Sequence, residues 1–79
     1  MAQELTFQYD REVDILHINT VPPYAEQESE ELDDEIVARL NPQTGKIENL
    51  EVLFFTSRLL RGELFSLPVV ADLRHAEPA

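Results

Sequence analysis

Glu35-Ile-Val-Ala-Arg-Leu-Asn-Pro-Gln-Thr-Gly-Lys-Ile-Glu-Asn-Leu-Glu-Val-Leu-Phe54 reads as one β-hairpin, and the rest of the chain is arranged around it. Ile36, Ala38 and Leu40 alternate with Val37 and Arg39, the period of two that sends successive side chains to opposite faces of a strand. Asn41-Pro-Gln-Thr-Gly45 stops the run: Pro42 presets φ early in a turn, and Gly45 supplies the positive φ needed to re-enter a strand with a bulge. The apolar run then resumes, with Leu50, Val52 and Phe54 on one face and Ile47, Leu53 and Phe55 on the other.

Upstream, Leu5, Phe7 and Tyr9 alternate with Thr6 and Gln8 as a first strand. Asp10-Arg11-Glu12 is a turn in which Asp10 can accept a backbone hydrogen bond from two residues on. A second strand follows over Val13 to Thr20, with Leu16 and Ile18 on one face and Val13 and Ile15 on the other. Apolar residues on both faces predict a central or doubly covered strand. Asp14 falls on the Leu16 side, at the edge of the core, where its carboxylate needs donors; the amides of the preceding turn are the nearest. Pro22 and Pro23 end the strand. Ala25 to Glu35 packs seven acids into its last ten residues. It reads as an acidic loop or as a short edge strand around Ser29 to Leu32, where charge discourages edge-to-edge association. The regular carboxylate spacing of a calcium loop is missing.

Beyond the hairpin, Thr56 or Ser57 can cap a helix of one or two turns. Leu59 and Leu60 supply its apolar side, Arg61 suits its C-terminal end, and Gly62 fits a left-handed stop. Glu63 to Asp72 carries apolar Leu64, Phe65 and Leu67 before Pro68 and Val69-Val70-Ala71 after it, and reads as a helical turn and then an extended arm lying on the sheet or on a neighbouring subunit, with a frayed end from Arg74. The expected fold class is α+β, a small antiparallel sheet of hairpins followed by a short helix and an extended C-terminal arm. The 79 residues form one domain, divided into an acidic sheet over 1–55 and a helix and apolar arm over 56–79.

A domain of this length buries only about 60% of the surface its unfolded chain exposes. Without cysteine it has neither disulfides nor thiolate metal sites to reinforce it, so a homodimer or larger homo-oligomer is expected. The start of the chain has no basic, apolar leader and nothing approaches the ~20 apolar residues of a membrane span, so a cytoplasmic, soluble protein is expected, with no membrane association. The formal net charge of −10 resides entirely in residues 1–55, which carry 13 acids against Arg11, Arg39 and Lys46. Such a surface repels phosphate backbones, which excludes nucleic acid as the expected partner, and attracts a basic protein. Excess acid also has a plainer use in keeping a small protein soluble.

Two stretches carry a family resemblance. Tyr9-Asp-Arg-Glu-Val-Asp-Ile-Leu-His-Ile18 resembles the Tyr-Asp-x-Glu-Ala-Asp-x-Leu-Tyr-Ile signature of the small bacterial family catalogued as domain of unknown function 2283. Gly45-Lys-Ile-Glu-Asn-Leu-Glu-Val-Leu53 is similar to its second signature, Gly-Arg-Ile-Val-Gly-Ile-Glu-Ile-Leu. Tyr9, Asp10, Glu12, Asp14, Leu16, Ile18, Gly45 and Glu51 sit at signature positions, whereas His17 replaces a Tyr, Asn49 replaces a Gly, and the acidic stretch before Glu35 is longer. The resemblance implies an antiparallel sheet followed by a helix, with no assigned activity. Members encoded beside small toxin-like proteins hint at an antidote role.

The candidate chemistry is sparse. If the second strand pairs beside the last strand of the hairpin, Asp14 and Glu51 could approach each other, the raw material of acid–base work or a Mg²⁺ site together with Asp10. The plainer alternative has Asp10 and Asp14 locking the first turn while Glu51 pairs with Arg39 across strands. His17 has no predicted partner. There is no phosphate loop, nucleophile elbow or His pair at helical spacing, so no catalytic residue, metal or cofactor is assigned. The preferred expectation is a non-catalytic protein–protein interaction module for a basic partner. The alternatives are a ligand- or metal-binding protein or enzyme using Asp10, Asp14 and Glu51, and a self-assembling structural protein.

Overall fold

The computed structural model describes residues 4–61 and 66–76. Strands β1 (Thr6–Asp10), β2 (Ile15–Asn19), β3 (Glu28–Asp33), β4 (Ile36–Leu40) and β5 (Ile47–Leu53) precede helix α1 (Phe55–Leu60). The strands form one antiparallel sheet in the order β1-β2-β5-β4-β3, so the architecture is a five-stranded sheet with a single short helix, mostly β and consistent in outline with the expected class.

The organising hairpin forms as its pattern predicts. Gly45 adopts φ 74°, its N–H donates to the Asn41 carbonyl at 2.9 Å, and the register slips between Arg39 and Leu40 as the chain leaves the turn. Asn41 adds a local lock, its Oδ1 accepting the amides of Gln43 and Thr44. β2 is central, between β1 and β5, and the acidic stretch includes an edge strand rather than being loop throughout.

Period-two alternation gives the sheet one apolar and one polar face. The paired rows Tyr9–Leu16–Val52–Ile36 and Phe7–Ile18–Leu50–Ala38 share the first face, where Ile36, Ala38, Leu50 and Val52 are buried. Leu67 comes down on this face in an apolar recess with Leu16, Ile18 and Val52. Residues 66–76 form neither helix nor strand, and Val70 and Leu73 are exposed. The opposite face carries the row Gln8–His17–Glu51–Val37–Glu31.

Two expectations are corrected. Neither Thr56 nor Ser57 caps α1: its N-cap is Phe54, in the left-handed region at φ 53°, with no side-chain cap. Nor do Leu59 and Leu60 anchor the helix, being 58% and 86% exposed. Polar contacts and the packing of Phe55 on the Tyr9 ring hold it instead. Arg58 Nη2 donates to the Asp34 carbonyl at 2.7 Å and lies 3.4 Å from Glu35 Oε1, while Thr56 is taken by Asp14. The expected helix stop at Gly62, residues 63–65 at the start of the expected helical turn and arm, and the end of the tail from residue 77 lie outside the described residues.

Among the described residues, Asp14, Glu35 and Phe54 are the non-glycine residues with positive φ, at 57°, 66° and 53°. The register places all three at the same end of the sheet, just before β2, just before β4 and just after β5. Bonds between these segments hold them there: Leu53 N donates to the Glu35 carbonyl (2.8 Å) and Phe55 N to the Asp14 carbonyl (3.2 Å).

Candidate functional site

Asp14 is the centre of one polar cluster. Its left-handed backbone turns the side chain out of strand alternation and toward the start of α1, where Thr56 N and Thr56 Oγ1 donate to Oδ1 and Oδ2 at 3.1 and 2.8 Å. Tyr9 Oη donates to the same Oδ1 at 2.6 Å, and the Tyr9 ring packs 5.9 Å from that of Phe55. The donors are thus a hydroxyl from β1 and two groups 42 residues away, not the amides of the preceding turn. The turn amide is served by Asp10, whose Oδ1 accepts Glu12 N at 3.0 Å as expected. Hydrogen bonds from Tyr9, and then from Thr56, hold the Asp14 carboxyl below its ordinary range, and the bond to Asp14 raises the Tyr9 phenol.

A second cluster closes the other end of the sheet, where the connection from β2 to β3 must pass the ends of β5 and β4. Asn49, 2% exposed, donates through Nδ2 to Asn19 Oδ1 (2.8 Å) and the Val21 carbonyl (2.7 Å), and accepts from Gln27 Nε2 at 2.6 Å. Glu48 Oε1 accepts from Tyr24 Oη (2.7 Å) and Gln27 Nε2 (3.1 Å), and Oε2 from Asn41 Nδ2 (3.3 Å). Those bonds, with Tyr24 foremost, lower the Glu48 carboxyl, and the Tyr24 phenol is pushed up to about 12, chiefly by its bond to Glu48. Sequence reading missed Tyr24, Gln27 and Glu48 altogether, and noted Asn49 only as a departure from the family pattern. The adjacent polar pair Glu48-Asn49, which breaks the apolar–polar alternation of β5, was the available signal.

On the polar face Glu51 stands between two bases: Oε2 is 3.6 Å from His17 Nδ1, directly across β2–β5, and Oε1 is 3.6 Å from Arg39 Nε on β4. The expected Arg39 pairing is therefore present, and His17 has the partner that the sequence did not reveal. His17 also borders an open recess of about 760 Å³, lined by Gln8, Asp10, Asn19 and Pro23 among others. Asp14 and Glu51, however, do not come together: although β2 and β5 are neighbours, the register sets Glu51 against His17, while Asp14 is held by Tyr9 and Thr56. Among the described residues no group of three or more His, Asp or Glu side chains is placed to hold a metal ion, and no helix is long and apolar enough to cross a membrane.

The family model for "protein of unknown function (DUF2283)" matches residues 6–55, more than half of the chain and all five strands. The chain belongs to the DUF2283 family. No curated protein and no solved structure matches it. The DUF2283 signature positions now acquire structural places: Asp10 holds the first turn, Tyr9 and Asp14 fasten β1 and the first turn to the start of α1, Gly45 turns the hairpin, and Glu51 joins three strands on the polar face.

Proposed function

We propose that this DUF2283 chain is a non-catalytic cytoplasmic interaction module that receives a basic protein segment, as an antidote or regulator of that protein would. The observation carrying this reading is the make-up of β3. It is an edge strand whose Glu28, Glu30, Glu31 and Asp33 are exposed, and among the described residues no Lys or Arg pairs with any of them. An edge also leaves a row of ladder N–H and C=O groups free, so an extended basic segment adding to β3 gains main-chain hydrogen bonds and opposite charge together. The apolar arm has a separate role, covering the core face through Leu67. A competing use of the same acids is to repel other edges, with no partner.

Affinity capture from native cell extract at low salt, with stepped salt elution read by mass spectrometry, separates the two. The expected result is one small basic protein released stoichiometrically by salt and absent when Glu28→Gln, Glu30→Gln and Glu31→Gln are combined. Exposed charge attraction is screened beyond about 8 Å at physiological ionic strength, so binding unchanged in strong salt overturns the reading. Capture of the chain alone, or the same eluate from the triple variant, does so equally.

A further inference from the structure

The two edges of the sheet are unlike. β3 carries four carboxylates in six residues, which repel another acidic edge such as a second β3, and its register is irregular between Glu31 and Asp33. β1, Thr-Phe-Gln-Tyr-Asp, has neither: it is uncharged up to Asp10, contains no proline, and pairs with β2 in an unbroken five-residue ladder. Every residue of β1 is exposed, Phe7 at 61%, and Leu5 and Val13 beside it are also exposed. The molecule as a whole has surface to spare. Its accessible area is 6340 Å² and its radius of gyration 13.5 Å. A compact monomer of this size has about 4,900 Å² and about 12 Å. The excess is larger than the ~800 Å² that each partner contributes to a standard interface.

We infer that β1 pairs antiparallel with β1 of a second copy about a two-fold axis at Gln8, fusing two five-stranded sheets into one of ten strands. Pairing Thr6 with Asp10, Phe7 with Tyr9 and Gln8 with itself is the only register that engages all five residues of both strands. It sets Phe7 beside the second copy's Tyr9 on the apolar face, an aromatic cross-strand pair, and keeps the two Asp10 carboxylates at opposite ends of the ladder. The other edge combinations are worse. β3 against β3 opposes carboxylates, and β1 against β3 leaves a free edge on each copy and grows into an open filament. Only the β1 pair closes without opposing carboxylates, and it turns both acidic edges outward. This inference does not depend on the basic partner proposed above.

The chain contains no cysteine, so Gln8→Cys introduces its sole thiol. Directly opposed residues of an antiparallel pair lie about 4.5–5.5 Å apart between Cα atoms, within disulfide reach. Mild oxidation should convert Gln8→Cys to a covalent dimer on a non-reducing gel. Thr6→Cys, whose counterpart lies about 13 Å along the ladder, and Glu30→Cys on β3 should stay single. Light scattering should give the wild-type chain twice its mass in low and high salt alike, and Phe7→Lys, at an exposed site, the single mass with an unchanged circular dichroism spectrum. A wild-type chain of single mass at every concentration, open-ended larger species, a Glu30→Cys cross-link, or a Phe7→Lys dimer each overturns the inference. Should Gln8→Cys fail to fold, the masses of wild type and Phe7→Lys decide the question.

Discussion

Asp14 joins segments that sequence separates: a hairpin at one end of the family match and a helix start at the other. Its depressed carboxyl pKa makes this junction sensitive to acid. A group whose pKa is lower folded than unfolded contributes stability fully above the unfolded value, about 3.9 for Asp, and loses it as pH falls through the folded value. In urea titrations across pH, Asp14→Asn should therefore be less stable than wild type at neutral pH, with the gap closing below about pH 4. A gap that stays constant into strong acid would mean that the charge of Asp14 contributes nothing. The raised phenols of Tyr9 and Tyr24 work with the opposite sign: their contribution is present below the ordinary tyrosine range and is lost as pH rises through the folded values. Asp10 was legible in the sequence because its partner is two residues away, and Asp14 was not because a carboxylate does not announce a donor 42 residues distant. Its left-handed φ, which breaks the alternation that placed it on the Leu16 face, was equally invisible.

Hairpins are the elements that local pattern reaches most directly, and here β1–β2 and β4–β5 emerged with their turns, including the bulge beyond Gly45. The charge of β3 was compatible with loop or edge, and only its ladder with β4 decides for the edge. The crossover from β2 to β3 was legible only as a strand-breaking Pro pair, since what fixes its path is the buried amide of Asn49 meeting Gln27, Asn19 and the Val21 carbonyl. Asn49→Gly, which restores the residue usual in the family pattern, strips those groups of their partner at a buried site and should cost about 2–3 kcal/mol in urea unfolding. A change below about 0.5 kcal/mol would show that the crossover is held by its backbone alone. The helix misled for a related reason: Leu59 and Leu60 are apolar but largely exposed, and the contacts that seat α1 come from Phe55, Thr56 and Arg58.

At the scale of the molecule, charge and topology coincide. The acids that dominate residues 1–55 concentrate on β3, an outer strand of the sheet, while the other outer strand is nearly neutral, so one fold offers two chemically distinct borders. The strand order β1-β2-β5-β4-β3 has a further consequence, for the time course of folding. Every pairing but one is between consecutive strands; the exception is β2 with β5, which brings Asn19 to Asn49 and Ile15 to Leu53. Loop-closure entropy opposes that distant contact until something rewards it, and β2 has no border to dock against until the meander of β3, β4 and β5 exists. Docking of two preformed hairpin units then limits the rate. Gly45→Ala, strained by its φ of 74° with no steric contact to confuse the reading, should lose about 1 kcal/mol and show that loss mainly as slower refolding. Faster unfolding with unchanged refolding would place the β4–β5 turn after the barrier, and make the long-range seam the first structure this chain commits to.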